Sequence, residues 1–223
     1  MIIAIDGPSG AGKSTLGKLI AQKFGLLYLD TGAMYRAVGL AVLEQNVGFD
    51  DPERISEIAR NCEIRLVGDP DCLQVFLDGR DVSAEIRTPE VGNAASRVST
   101  ISAVRRILVD HQREIGNASK NGAVLDGRDI GSVVFPNADI KFFLTADPEA
   151  RARRRHSEDL EKGRAASYEQ TLLEIRERDT RDSTRLDSPL IVATDAVSID
   201  TSDLGLEEVY AKIVEIIASR VGV

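Results

Sequence analysis

Gly7-Pro8-Ser9-Gly10-Ala11-Gly12-Lys13-Ser14 fits the pattern G-x-x-x-x-G-K-[ST]. These residue types in this spacing suit the grip of a nucleotide's phosphates. The glycines let the backbone curl until successive N–H groups face one phosphate. The N-terminus of the helix that follows adds positive partial charge. Lys13 is placed to reach the β- and γ-phosphates, and the Ser14 hydroxyl is a candidate ligand for Mg²⁺. Gly7 through Thr15 is therefore read as an ATP-binding loop. A merely flexible glycine turn is the competing reading. It is disfavoured by context, because Ile2-Ile3-Ala4-Ile5 has the character of a buried parallel strand. Ser14 to Phe24 reads as an amphipathic helix with Leu16, Leu19 and Ile20 inward.

A phosphate loop specifies a nucleotide and leaves the reaction open. The base-reading Asn-Lys-x-Asp of GTPases and the Ser-Gly-Gly-Gln signature of transport ATPases are both missing from the sequence. Arginines stand at the ends of other elements instead: Arg36 after Asp30-Thr31-Gly32, Arg128 after Asp126-Gly127, and Arg178, Arg181 and Arg185 within one charged stretch. Phosphoryl transfer asks mainly for positive charge around the transferred group and for in-line placement of two substrates. Guanidinium forks suit phosphate. On a helix, Arg178, Asp182 and Arg185 share a face. The run Arg151, Arg153, Arg154 and Arg155 packs like charges at a density that is costly unless an anion arrives, which points to a mobile lid over ATP. Arg151 and Arg155 are read as its ATP contacts. The bland alternative for both stretches is a solvated helix laced with ion pairs.

The elements around these residues alternate strand and helix. Leu26 to Leu29 reads as a second strand and Ala33 to Glu44 as a helix, an order that implies a parallel sheet with right-handed crossovers. Glu63 to Val67 and Leu73 to Leu77 flank the turn residues Gly68-Asp69-Pro70-Asp71, and a further extended piece begins at Val82. Helical periodicity runs from Pro89 to Ser119 with a break. Strands follow at Ala123 to Leu125 and Ile140 to Leu144, with Thr145-Ala146-Asp147-Pro148 as a helix start. Residues 149–185 read as two helices broken at Gly163, Ile191 as near a strand start, Val197 to Ile199 as a fifth central strand, and Leu206 to Ala218 as a closing helix. The predicted fold is α/β: a P-loop three-layer fold with a central parallel five-stranded sheet, a small antiparallel β insert at 60–88 and a helical lid at 150–186. The core is assigned to 1–59, 89–149 and 187–223.

Composition fits this picture. At roughly 150 residues per domain, 223 residues make one domain with an insertion or two small ones. Lys and Arg number 28 against 36 Asp and Glu, a formal charge of −8 that argues against a nucleic acid polymer as partner. Aromatics are 4% with no Trp, which disfavours base-stacking platforms. Cys62 and Cys72 are too few for a disulfide framework and have no metal-ligand spacing; both are expected to be buried or half-buried thiols. MIIAIDGPSG has no basic n-region, and no apolar run reaches membrane-span length, so a cytoplasmic, membrane-free protein is expected; nothing in the sequence demands more than a monomer.

Gly7 to Thr15, Leu29-Asp30-Thr31-Gly32-Ala33-Met34-Tyr35-Arg36 and Asp126-Gly127-Arg128-Asp129-Ile130-Gly131 closely resemble bacterial cytidylate kinases. So do Val133-Val134-Phe135-Pro136 and Glu177-Arg178-Asp179-Thr180-Arg181-Asp182, and the likeness runs essentially end to end. The resemblance implies transfer of the ATP γ-phosphoryl group to CMP or dCMP with Mg²⁺. It implies Lys13, Arg128, Arg181 and Arg185 as the catalytic cations, and Thr31, Arg36, Arg128 and Arg185 as ligands of the acceptor phosphate. It further implies Ser96, Arg105 and Asp129 as readers of cytosine, with Tyr35, Arg178 and Asp182 around the pentose. The chemistry agrees: a carboxylate accepts from the exocyclic amino group, while Arg and Ser donate to N3 and O2. Uracil reverses that pattern and is penalised by unpaired buried groups. Without the resemblance, Ser96 reads as a helix-packing residue and Arg105 as a surface arginine. Asp126 acts either through magnesium-bound water or by holding Arg128. Ser14 and Thr31 stand where relatives also carry Gly or Thr, and Ser; both keep a hydroxyl here. His111 is read as a helix residue and His156 as a surface one. Two other readings stay open: a small P-loop kinase with a different acceptor, and a non-catalytic nucleotide-binding module.

Overall fold

The computed structural model describes residues 1–161, 163, 165 and 167–221. Among them a five-stranded sheet runs β2 (Leu27–Asp30), β6 (Ala123–Gly127), β1 (Ile2–Asp6), β7 (Ile140–Thr145), β8 (Val197–Asp200), with every pairing parallel. Residues of the central strands are buried on both faces, as parallel crossovers demand. Ile3, Ile5, Val124 and Phe142 pack with Leu16 and Ile20 of α1 (Lys13–Phe24) and with Ile213 and Ile217 of α8 (Leu206–Val221). Ala4, Ala123 and Leu125 face a second cluster built on α2 (Thr31–Glu44), α4 (Pro89–Val98) and α5 (Ser102–Ala118). Helix layers on both faces of the sheet make the three-layer α/β fold. β1 is flanked by β6 and β7, so the chain leaves the sheet in opposite directions from its centre, the place where such sheets hold ligands at their carboxyl ends.

The hairpin region is a three-stranded antiparallel sheet, β3 (Ile64–Val67), β4 (Gln74–Leu77) and β5 (Arg80–Asp81). The loop expected at 68–71 contains a 3₁₀ turn, Pro70–Cys72, and the last strand precedes Val82, which is buried. Ile64, Val75, Leu77 and Ile86 join the same cluster as α2 and α3 (Pro52–Asn61), so this sheet shares its core with the helices beside it. The helix α3 was not anticipated; Asp51 caps it, accepting from the Arg54 N–H at 3.0 Å, and Pro52 opens it.

Two antiparallel-order helices, α6 (Pro148–Glu161) and α7 (Tyr168–Thr184), form the arginine-rich region. No strand starts at Ile191; residues 190–193 are irregular, and Ile191 and Val192 are exposed. Cys62 is buried as expected, but Cys72 is exposed, because the 3₁₀ turn carries it to the surface; both are free thiols. His156 is half-buried rather than superficial, edge-on to Tyr168 with ring centroids 6.3 Å apart. His111 lies in α5.

Candidate active site

The carboxyl ends of β1, β6 and β2 lie side by side in the register Ile5↔Asp126 and Asp30↔Asp126, with Asp6 opposite Gly127. They open into a cavity of about 790 Å³. One end is the loop from Ser9 to Thr15; the other is built by Thr31, Tyr35, Arg36, Arg105, Arg128 and Asp129, with Arg155, Arg178, Asp182 and Arg185 from α6, α7 and the residue after it.

At the loop end, Gly7 sits at φ 143°, and a Cβ there would fall 1.9 Å from the Leu144 carbonyl oxygen, so only glycine lets β1 turn into the loop beside β7. Lys13 is buried and its Nζ donates to the Pro8 carbonyl at 2.7 Å. Burial first, and then Arg128, holds its ammonium well below the usual lysine range. Ser14 Oγ donates to Asp126 Oδ2 at 2.6 Å, and Tyr28 Oη to Asp126 Oδ1 at 3.2 Å. Burial and the neighbouring Asp30 push the Asp126 carboxyl up to about 6. The Asp126 side chain thus holds Ser14, whereas Arg128 donates to Asp182 and to the Gly127 carbonyl.

At the far end, arginine charge exceeds carboxylate charge. Arg128 Nε donates to Asp182 Oδ2 at 2.8 Å; Arg178 and Arg185 approach the same carboxylate at 4.0 and 3.9 Å. Burial opposes ionisation of Asp182, but Arg128 and Arg178 outweigh it and hold the carboxyl below its usual range. Burial and Arg128 together lower Arg178 to about 9. Arg105 is only 3% exposed; it donates to Asp129 Oδ2 at 2.5 Å and to the Ser99 carbonyl at 3.1 Å, and its guanidinium lies 5.4 Å from the Tyr35 ring centroid. Burial pushes the Tyr35 phenol up to about 12. Arg185 Nη2 lies 3.8 Å from Asp129 Oδ1, and its Nε donates to the Ser188 carbonyl at 2.6 Å. Thr31 Oγ1 donates to the Asp126 carbonyl at 2.7 Å. Arg36 donates to the Ile86 carbonyl at 2.8 Å, and burial together with Arg87 lowers it to about 10. Tyr35 Oη, Arg105 Nε, Arg178 Nε and Arg185 Nη2 are buried with no hydrogen-bond partner. Buried donors of this kind call for acceptor-rich company, and four of them border one cavity.

Five candidates from the sequence lie outside the cavity lining. Arg151 is 2% exposed and does not reach over the loop. It braces the loop from beneath, donating to the Ser9 carbonyl at 3.2 Å, to the Ala146 carbonyl at 2.8 Å and in a bidentate fork to Asp179 at 3.0 and 2.6 Å. The i+3 and i+4 neighbours Arg154 and Arg155 line the cavity in its place. Ser96 is buried beneath the wall, where its Oγ accepts from Arg181 Nε at 3.2 Å, so these two bind each other outside the lining; Ser99 takes the wall position one turn on. Gly7 and Pro8 lie behind the loop's inner surface. Sequence reasoning passed over Arg87, whose Nη2 donates to Asp30 Oδ2 at 2.8 Å at the cavity mouth, and over Asp6. The Asp-Gly following a buried strand was a usable signal for Asp6; nothing in the local sequence singles out Arg87 or Ser99.

No group of three or more His, Cys, Asp or Glu side chains among the described residues is arranged to hold a metal alone. The oxygen pair Ser14 and Asp126 nevertheless suits Mg²⁺, which takes few protein ligands beside water and substrate phosphates.

A sequence profile described as Cytidylate kinase matches residues 3–219. A cytidylate kinase of Caldanaerobacter subterraneus subsp. tengcongensis is 53% identical over 96% of this chain and 93% of its own length. One of Bacillus subtilis is 45% identical over 98% and 96%. Among solved structures, an uncharacterized protein from Eubacterium ventriosum superposes with a TM-score of 0.56 at 12% identity, covering 98% of this chain and 99% of its own. A shikimate kinase from Bacteroides thetaiotaomicron gives 0.50 at 12% identity, covering 100% and 99%. Those two share the fold.

Proposed function

The chain belongs to the cytidylate kinase family, and on that premise we infer how its cavity transfers the ATP γ-phosphoryl group to CMP or dCMP. The observation that carries the reading is the pairing, across one cavity, of a phosphate loop with a surplus of arginines around two carboxylates. The enzyme is an ATP-dependent nucleoside monophosphate kinase, yielding ADP and CDP or dCDP.

The loop backbone and Lys13 hold the ATP phosphates. Ser14 and Asp126 would hold Mg²⁺, which when bound neutralises charge on the β- and γ-phosphates. Thr31, Arg36, Arg128 and Arg185 receive the acceptor phosphate. Their charge lowers the repulsion between two anionic substrates and sits where charge develops as the phosphoryl group moves. No general base is needed, because the acceptor oxygen already belongs to an ionised phosphate. Asp129 accepts from the cytosine amino group and Arg105 donates to its carbonyl side, while Tyr35, Arg178 and Asp182 border the pentose. The helices α6 and α7 fold over ATP and the antiparallel insert over CMP, excluding the water that would otherwise take the phosphoryl group. Two free thiols fit a reducing cytoplasm.

A coupled ADP-release assay with ATP and Mg²⁺ tests this, with CMP, dCMP, UMP, AMP, GMP and shikimate in parallel. Fast turnover is expected with CMP and dCMP alone. Turnover with a different acceptor would discard the assignment of Asp129 and Arg105. ATP binding without any turnover would make the chain a non-catalytic module.

A further inference from the structure

Asp6 ends β1, one residue before the phosphate loop, and the mechanism above gives it no task. Its side chain is 4% exposed, in the middle of the sheet's carboxyl edge. Oδ1 accepts the Ile130 N–H at 2.8 Å and Oδ2 the Gly131 N–H at 2.7 Å. Those are the first two N–H groups of a single π-helical turn, Ile130–Val134, groups that have no partner within the turn itself. The residue that would ordinarily cap such a turn is Asp129, the N-cap by position, with φ −145° and ψ 25°. Asp129 makes no side-chain capping bond. Its carboxylate points the other way, to Arg105 at 2.5 Å and towards Arg185 at 3.8 Å.

We propose that Asp6 is a positioning residue for acceptor-base recognition: by capping the turn from a neighbouring strand, it releases the Asp129 carboxylate to face the cavity. Gly131 is part of the same device. A Cβ there would meet the Lys141 stem at 3.0 and 3.2 Å and Asp6 Oδ2 at 3.4 Å, so glycine lets the turn settle onto the carboxylate. Lys141 is itself fixed, its Nζ donating to the Pro136 carbonyl at 2.5 Å and to Asp195 at 2.7 Å, and has little room to yield. Because Asp6 leads directly into Gly7, one side chain sets the acceptor loop at a fixed distance from the donor loop. The inference rests on Asp129 reading the base.

The test is Asp6→Asn. The amide keeps the shape but turns an N–H donor toward one of the two backbone N–H groups, and Asp129 becomes the better cap. The expected result is about a ten- to hundredfold drop in the ratio of kcat/KM for CMP over UMP, the range set by losing one hydrogen bond to a buried charged group. KM for CMP rises and KM for ATP changes little. The same ratio is measured for Asp129→Ala and for the double variant. If Asp6 acts through Asp129, Asp6→Asn adds nothing to discrimination in the Asp129→Ala background. Gly131→Ala, which lifts the same turn without altering Asp6, is expected to lower the ratio too and serves if Asp6→Asn fails to fold. An unchanged ratio in Asp6→Asn or Gly131→Ala, beside a lowered one in Asp129→Ala, overturns the proposal. An unchanged ratio in Asp129→Ala itself overturns the base-reading assignment instead.

Discussion

Asp182→Asn separates charge from shape at the centre of the arginine cluster. The amide oxygen still accepts from Arg128 Nε. What disappears is the negative charge facing Arg128 at 2.8 Å, Arg178 at 4.0 Å and Arg185 at 3.9 Å. At an effective dielectric constant of ~20 the gross attraction is ~6 kcal/mol for the first pair and ~4 kcal/mol for each of the others. Removing the carboxylate also removes its own desolvation cost, and the arginines can turn toward water. The net loss is therefore about 3–5 kcal/mol, the range found when one partner of a buried ion pair is deleted. In a chain of this size that lowers Tm by about 6–20 °C. The native Asp182 carboxyl is held below its usual range, so its contribution is present at neutral pH and is lost as pH falls through the acid range. An anion between the arginines replaces the missing charge. Thermal unfolding with and without inorganic phosphate makes the comparison, since phosphate avoids the pentose contacts also assigned to Asp182. The variant is expected to recover a larger share of its stability from phosphate than the wild type gains. A variant that melts within about 2 °C of wild type, or equal gains from phosphate, would refute the idea that this carboxylate holds the arginines by charge.

Three further outcomes follow from the same geometry. Arg128→Ala and Arg185→Ala are each expected to lower kcat by about 10²–10³-fold with smaller changes in KM, and an unchanged kcat removes that arginine from the transition state. Arg151→Met leaves Asp179 and the Ser9 carbonyl without their partner, costs about 3 kcal/mol in thermal unfolding, and raises KM for ATP more than for CMP; equal rises would deny it a specific hold on the phosphate loop. Asp6 and Asp126 carry folded-state pKa values of about 6, above the ordinary 3.8, because both are buried. Between those values the folded state binds more protons than the unfolded chain, so their contribution to stability grows as pH falls through 6 and is lost as it rises. Protonation of Asp126 would meanwhile weaken the hold proposed for it on Mg²⁺. Activity is expected to fall below about pH 6 while Tm holds, and a parallel decline of both between pH 7 and 5 would trace the rate loss to unfolding.

What was legible in the sequence is what is set locally. The phosphate loop is a run of contiguous residues whose backbone does the binding, so its glycines and Lys13 announce it. The parallel strands are apolar runs, and the hairpin carries Gly-Asp-Pro turn chemistry at 68–71. The helix α3 had a start signal in Asp51-Pro52 that its short, polar composition hid. The arginine run 151–155 pointed to an anion site, but which arginine turns inward depends on where α7 puts Asp179, and pairing with it buried Arg151. Ser96 and Arg181 bind each other across a sequence separation of 85, a contact no local pattern encodes. Arg87 and Ser99 line the cavity because α2 and α4 pack closely, with a Cβ at Gly39 falling 2.9 Å from the Ala95 nitrogen.

An acidic chain can present so basic a cavity because its carboxylates and guanidiniums are divided by task. Of the carboxylates at the sheet's edge, Asp30 caps α2 through the Ala33 N–H at 2.9 Å and holds Arg87. Asp126 holds Ser14 and Tyr28, and Asp6 holds the turn after Asp129. Each spends its oxygens on protein donors, so the rigid strands contribute position. The arginines arrive instead on helices α2, α5 and α7 and on the loop after β6. They outnumber the carboxylates they share, Asp129 and Asp182. Position is thus fixed by the sheet and charge is delivered by the elements that pack upon it. A substitution at Asp6 should disturb which acceptor is chosen, and one at Arg128 or Arg185 should disturb how fast the phosphoryl group moves.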